Sequence, residues 1–337
     1  MEWDDASFAS LEQNKEQIDT LIMEELTLSN SGMAMIAPDK FKRTQQYLAS
    51  NDPDLPIHAL INNYNSVNNI WDTAMLYTTL SDDAKRKNLE TGLLDFAVVH
   101  NLSGINIDFE ELDSKTIPYY LTFLGELSSL LHTEGKLISV NVPLSNDSFD
   151  LHEIANRVDL IFLMAYDEHW SSATPGPIAS HNWIIDGVMT AMSEVPKEKL
   201  VVTLGNYGYD WTRGQKQSTA LTFQEAHTIM RESSESIVFD SGSLNPMYSY
   251  TDEQNKEHEV WYLDAVTAYN TLSSLESLGI DNISLWRMGS EDPSIWNIFK
   301  KSATQKNAKN LENFGYGYEI DYAGNGEFYK LQSEPIS

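Results

Sequence analysis

The stretch Ser103-Gly104-Ile105-Asn106-Ile107-Asp108-Phe109-Glu110 is an apolar, β-branched run that carries two acids at positions i and i+2. Successive side chains of a strand point to opposite faces, so Asp108 and Glu110 fall on one face and Ile107 and Phe109 on the other. Two carboxylates side by side on a buried strand are costly unless they do chemistry or are fully paired. A structural ion pair with an arginine of the core is the plain alternative, because perturbed acids are not always catalytic.

Similar short apolar runs recur on both sides of this segment, at Leu21–Leu28, Ile57–Asn62, Leu137–Pro143, Leu160–Tyr166, Leu200–Gly205 and Ile283–Arg287. Between them lie helical patterns. Ile117–Leu131 has apolar residues near spacings of three and four, and Asp264–Leu278 opens with an acid and closes before Gly279. Strands alternating with helices at this pitch argue for parallel βαβ units. With a partial strand near Trp3-Asp4, the pattern predicts an α/β fold, a (β/α)8 TIM barrel occupying residues 1–300. Only Met1–Asp5 precede the helical pattern at Ser7-Phe8-Ala9-Ser10-Leu11, so either the first strand is very short or, as expected here, this chain was cut from a longer one.

Between strands seven and eight the spacing is long. It holds a helical piece near Thr222–Glu232 and strand-like runs at Ser236–Asp240, Met247–Tyr250 and Glu259–Leu263. The polar turn Asp252-Glu253-Gln254-Asn255-Lys256 would join the last two, and the whole reads as a small α+β rim insertion over 212–263. A C-terminal extension, 301–337, alternates Tyr316, Tyr318, Ile320 and Tyr322 ahead of an Ala323-Gly324-Asn325-Gly326 turn, so a β-hairpin is expected there.

The chain has 337 residues, 41% of them hydrophobic, which is ample for a core. Fifty acids against 22 bases give a net charge of −28, so a nucleic-acid partner or an anionic membrane would be repelled over most of the surface. Without cysteine there is no disulfide, thiolate metal site or cysteine nucleophile. His100, His132, His181 and His258 show no metal-ligand spacing, and a lone histidine such as His169 is more often structural. Neither a catalytic metal nor a cofactor is expected. No apolar stretch approaches the roughly 20 residues that span a bilayer, and Met1-Glu2-Trp3-Asp4-Asp5 is unlike a signal peptide.

A barrel brings the C-terminal ends of its strands to one face, where activity resides. The polar residues at those ends are Asn62-Asn63-Tyr64-Asn65, Asp108 with Glu110, Met164-Ala165-Tyr166-Asp167-Glu168-His169, Asn206-Tyr207-Gly208-Tyr209-Asp210-Trp211 and Trp286-Arg287. Acids, amides and aromatics together suit pyranose rings, which present apolar C–H faces and hydroxyl edges. Tyr64, Tyr207, Tyr209 and Trp211 read equally as sugar contacts or as rim packing.

The segment Gly104-Ile105-Asn106-Ile107-Asp108-Phe109-Glu110 resembles the DGxDxDxE signature of glycoside hydrolase family 18, the chitinase family. Met164-Ala165-Tyr166-Asp167 is similar to that family's sixth-strand motif, and Trp286 stands where its eighth-strand tryptophan does. His258-Glu259-Val260-Trp261, Pro175-Gly176-Pro177 and Trp286-Arg287-Met288-Gly289-Ser290-Glu291-Asp292-Pro293 resemble a bacterial branch. That branch neighbours the spore-cortex hydrolases and includes modules fused to polysaccharide deacetylase and glycosyltransferase domains.

The resemblance implies substrate-assisted, retaining hydrolysis beside a 2-acetamido sugar, with the acetamido oxygen as nucleophile. Glu110 would be the general acid, Asp108 would orient the acetamido N–H, and Tyr166 would bond the acetamido oxygen. Asp167, Trp286, Met164, Asn106 and Tyr207 would complete the substrate contacts, Trp286 as the floor under the reacting sugar. Close, like-charged carboxylates push one pKa up, which would help Glu110 stay protonated near neutrality. Ser103 and Asn106 depart from the signature by replacing its first two acids, which shortens the relay of charge behind the pair.

The expected activity is hydrolysis of chitin-like, peptidoglycan or exopolysaccharide chains containing β-linked N-acetylglucosamine, by a monomeric domain outside the cytoplasm or in the cell envelope. A targeting segment would lie outside this sequence. The alternatives are a non-hydrolytic carbohydrate-binding barrel and a regulatory module of a larger wall-polysaccharide protein with fused domains.

Overall fold

A computed structural model of the chain describes residues 5–29, 32–145, 149–299, 318–323 and 328–335. They fall in two units, one made of the described residues within 5–8, 18–164 and 190–201, the other of those within 9–17, 165–189 and 202–335. Helix α1 (Asp5–Asn14) opens the described chain.

In the first unit the elements run β1 (Leu21–Ser29), β2 (Gly32–Met35), α2 (Pro38–Asn51), β3 (Ile57–Asn62), β4 (Tyr64–Asn65), β5 (Ile70–Trp71), α3 (Thr73–Leu80) and α4 (Asp83–Val99). They continue with β6 (Gly104–Asp108), α5 (Ile117–Thr133), β7 (Leu137–Pro143), α6 (Leu151–Ala155) and β8 (Leu160–Ala165). The sheet order is β2-β1-β3-β6-β7-β8, with β1–β2 antiparallel and the later pairs parallel. All five residues of β6 are buried, the signature of a parallel strand covered on both faces. Between Glu24 and Leu26 the β1–β3 register shifts, a bulge that re-aims the side chains beside it.

Helix formation follows local chemistry. Asp72 and Asp82 accept bonds from the first free N–H groups of α3 and α4. Pro118 sits in the first turn of α5, where its missing N–H is harmless. From α5, Phe123, Leu124, Leu127 and Leu131 are wholly buried at helical spacing, each worth about 1.5–3 kcal/mol by area. Phe123 and Tyr120 meet the ring of Phe109 at 5.8 and 6.3 Å, which anchors the far face of the acid-bearing strand.

Most of α7 (His181–Met192) belongs to the second unit, Thr190–Val201 to the first, and the second unit continues from Val202 with the rest of β9 (Leu200–Gly205), β10 (Gly208–Thr212), β11 (Thr219–Leu221), α8 (Phe223–Ser233), β12 (Val238–Asp240), β13 (Asn245–Thr251) and β14 (Glu257–Tyr262). Then come α9 (Ala265–Leu278), β15 (Ile283–Trp286), α10 (Ile295–Ile298), β16 (Tyr318–Ala323) and β17 (Phe328–Pro335). Strands β9 and β15 pair in parallel, from Val202↔Ile283 to Gly205↔Trp286. A separate five-stranded sheet has the order β11-β10-β14-β13-β12. Against it α8 packs Phe223, Ala226 and Met230 on Tyr248, Val260 and Tyr262. In this sheet β10 pairs antiparallel with β14 from Gly208↔Tyr262 to Thr212↔His258, and Tyr209 and Trp211 alternate with Asp210 and Thr212 along it.

Asp264 caps α9 through the Thr267 N–H, and Gly279 ends it at φ 77°, a left-handed conformation that glycine adopts without penalty. Strand β16 pairs antiparallel with β17, while Gly324-Asn325-Gly326 of the expected turn lie outside the described residues. So does Trp3-Asp4, where the first barrel strand is expected. The seven strands expected from Leu21 onward all form, and the strand–helix order is that of a (β/α)8 barrel.

Candidate active site

In the first unit β6 ends at Asp108, two residues before the second acid, because the backbone ladder stops there. Beyond it the chain is held by a side chain. The Glu110 N–H donates to Asn63 Oδ1 at 2.9 Å, and Asn63 Nδ2 donates to the Glu110 carbonyl at 3.2 Å. Asn63 has no exposed surface, and Glu111 follows with φ 55°. The neighbouring loop is tied in as well, since Thr73 Oγ1 donates to the Glu111 carbonyl at 3.1 Å.

Asp108 is buried, and its Oδ1 accepts from Asn141 Nδ2 at 2.9 Å. Asn141 Oδ1 accepts in turn from Asn106 Nδ2 at 3.0 Å, and Asn106 Nδ2 also donates to Ser139 Oγ at 2.9 Å. The partner of Asp108 is thus an amide rather than an arginine. Burial pushes the Asp108 carboxyl up to about 7; the Asn141 hydrogen bond opposes this and the charge of Glu24 reinforces it. Glu24 itself accepts from Asn62 Nδ2 at 3.1 Å. Met164, the substrate contact expected on β8, is buried in this unit opposite Pro143 of β7.

The second unit gathers the aromatic candidates. Asp167 adopts φ 62°, and its Oδ1 accepts from the hydroxyls of Tyr207 and Tyr209, the latter at 3.1 Å. Burial raises the Asp167 carboxyl against these two bonds, and burial beside Asp167 raises the Tyr207 hydroxyl well above its usual value. Tyr166 meets Tyr207 edge-on at 6.1 Å, Tyr207 meets Tyr209 at 5.5 Å, and Tyr209 meets Trp211 at 5.3 Å. Trp211 is buried and donates Nε1–H to the Ala173 carbonyl at 3.1 Å, which assigns it to packing. Trp286 is half-buried at the end of β15; its carbonyl accepts from Asn206 N–H at 2.9 Å, and the Trp286–Arg287 peptide is cis.

Asn63, Asn141, Ser139, Asn62 and Glu24 are polar residues of this site that the signature does not contain. Ser139 and Asn141 stand at i and i+2 on an otherwise apolar strand, the same pattern that exposes Asn106 and Asp108, and that pattern was available in the sequence. The described residues contain no cluster of histidines and acids able to hold a metal ion. Nor do they contain a helix long and apolar enough to cross a membrane.

The sequence matches the family described as Glycosyl hydrolases family 18 over residues 6–292, and the chain belongs to that family. An uncharacterized glycosylase of Bacillus subtilis, YvbX, is 26% identical over 304 residues, covering 84% of this chain and 88% of that one. The cortical fragment-lytic enzyme of the same species is 28% identical over 243 residues; the match takes in 66% of this chain and only 56% of that enzyme. Among solved structures, the chitinase of Chromobacterium violaceum superposes with a TM-score of 0.80 at 22% identity, over 88% of this chain and 95% of that one. The fold is therefore the (β/α)8 barrel anticipated from the strand–helix pattern.

Proposed function

We propose that this family 18 chain hydrolyses polysaccharide containing β-linked N-acetylglucosamine by a substrate-assisted, retaining mechanism, with Glu110 as the general acid. The observation that carries the reading is the arrangement at the end of β6. The backbone of Glu110 is clamped on both sides by a buried asparagine, and a buried carboxylate two residues earlier is held by an amide.

In the proposed reaction Glu110 donates its proton to the glycosidic oxygen while the acetamido oxygen of the same sugar attacks the anomeric carbon. The glycosidic bond breaks, the leaving chain departs as an alcohol, and a cyclic oxazolinium remains. Asp108, accepting from the acetamido N–H, balances that positive charge. Glu110, now a carboxylate, removes a proton from water as it opens the ring, which restores both the configuration and the acid. Tyr166 is assigned the acetamido oxygen, Asp167 and Tyr207 the sugar hydroxyls, and Trp286 the apolar sugar face, each on the family resemblance. The similarity to an enzyme named for cortical fragments supports a cell-wall glycan as substrate and an envelope location.

Glu110→Gln tests the reading. Incubation with N-acetylglucosamine oligomers and peptidoglycan fragments, with products weighed by mass spectrometry, should show cleavage by the wild type. In the variant cleavage should fall by about 10²–10⁴-fold. Unchanged cleavage in the variant sinks the acid assignment. Binding of oligomers without cleavage by the wild type would favour a non-hydrolytic carbohydrate-binding barrel.

A further inference from the structure

Resting on the reading of Asp108 as the group that orients the acetamido N–H, we propose that Asn141, aimed by Asn106, and Glu24 are positioning residues. The amide donates to Asp108 from the neighbouring strand, and the glutamate is held by Asn62, the residue registered opposite Asp108 on β3.

The relay has a direction that the chemistry of its members dictates. An ionised carboxylate only accepts hydrogen bonds, so Asn141 must turn its Nδ2 to Asp108 Oδ1, where it stands at 2.9 Å. That leaves Asn141 Oδ1 facing Asn106, which must present its own Nδ2, at 3.0 Å. The second hydrogen of that Nδ2 goes to Ser139 Oγ at 2.9 Å, while Asn106 Oδ1 meets no donor among the described residues. An ionised aspartate at 106 would have no hydrogen to give. Asn141 would then have to turn round, and its oxygen would face the Asp108 carboxylate. The departure at Asn106 from the family signature thus replaces a second acid with the donor that this relay requires.

The opposing group is Glu24 on β1, next to the bulge and held at 3.1 Å by Asn62, the residue registered opposite Asp108 on β3. Among the described residues of the first unit, Glu24 on β1 and Tyr120 on α5 interact electrostatically with Asp108, and Glu110 stands two residues along the chain. Tyr120 is buried, and its hydroxyl is raised by that burial and by the charge of Asp108, so it stays neutral through the working range. On Asp108 itself the Asn141 bond favours the anion and Glu24 disfavours it, both smaller than the effect of burial.

The test follows the Asp108 carboxyl directly, by ¹³C NMR titration of protein labelled at aspartate, with Asp108→Asn assigning the resonance. Asn141→Ala should move its midpoint up by about one pH unit. Glu24→Gln should move it down, and Asn106→Asp should move it up. Asn141→Ser, which keeps a small polar side chain, serves if the alanine variant does not fold. The acid limb of kcat/KM on an N-acetylglucosamine oligomer should follow each displacement. Opposite displacements for Asn141→Ala and Glu24→Gln support the inference; no displacement, or displacement in the same sense, overturns it. The NMR result decides the relay even if Glu110→Gln retains full activity, an outcome that would remove the assignment of Glu110 as the acid alone.

Discussion

Replacing Asn63 by alanine strands the two backbone groups that hold the proposed general acid in place. The wild-type side chain accepts from the Glu110 N–H at 2.9 Å and donates to the Glu110 carbonyl at 3.2 Å, with no surface exposed. A buried backbone group left without its partner costs about 1–3 kcal/mol, so two give about 2–4 kcal/mol once partial access of water to half-buried Glu110 is allowed for. Asn63→Asp separates the two bonds. The aspartate oxygen can still accept from the N–H, but its second oxygen then faces a carbonyl, two acceptors with no hydrogen between them. Urea unfolding at constant m reads the stability change, and kcat on an oligosaccharide reads the placement of Glu110. Because a displacement of about 1 Å in a catalytic group costs on the order of 100-fold, kcat should fall by about 10- to 100-fold in both variants. A stability loss below about 0.5 kcal/mol with unchanged kcat would refute the clamp.

The buried cap of α9 makes a pH-dependent prediction. Burial raises the Asp264 carboxyl to about 7, so the folded state binds its proton more tightly than the unfolded chain, and that stability is lost as pH rises from about 4 through 7. Asp264→Asn, still able to cap, should be more stable than wild type by about 2–4 kcal/mol at pH 8 and nearly equal at pH 4; an advantage that is the same at both pH values would contradict this. Glycine substitutions should separate by local space. A Cβ at Gly208 would lie 2.5 Å from the Trp261 carbonyl oxygen, so Gly208→Ala should cost about 1–3 kcal/mol or more in thermal unfolding. Gly92→Ala within α4 meets only Met33 Cε at 3.8 Å and should instead gain about 0.5–1 kcal/mol.

Much of the architecture is written locally. β-branched runs between amphipathic stretches mark the parallel strands from Leu21 to Trp286, because a strand buried on both faces must be apolar almost throughout. Asp264 ahead of Ala265–Leu278 and Gly279 behind it bracket a helix by capping chemistry alone. The acids at 108 and 110 stand out for the same reason, as charges where a buried strand tolerates none without cause. Strand β10 was not legible, since a five-residue alternation becomes a strand only when β14 supplies its partner.

By itself, then, the amino-acid order determined which segments form strands and helices and which residues break the apolar pattern, because propensity, capping and alternation act over a few neighbouring residues. Tertiary structure alone decided what those exceptional residues meet. Asn63 and Glu110 are 47 positions apart, Asn141 and Asp108 are 33 apart, and Glu24 reaches Asn62 across 38. A hydrogen bond needs its two atoms within about 3 Å in a fixed direction. Only the pairing of strands, not the order of residues along any one of them, can bring such distant side chains to that distance.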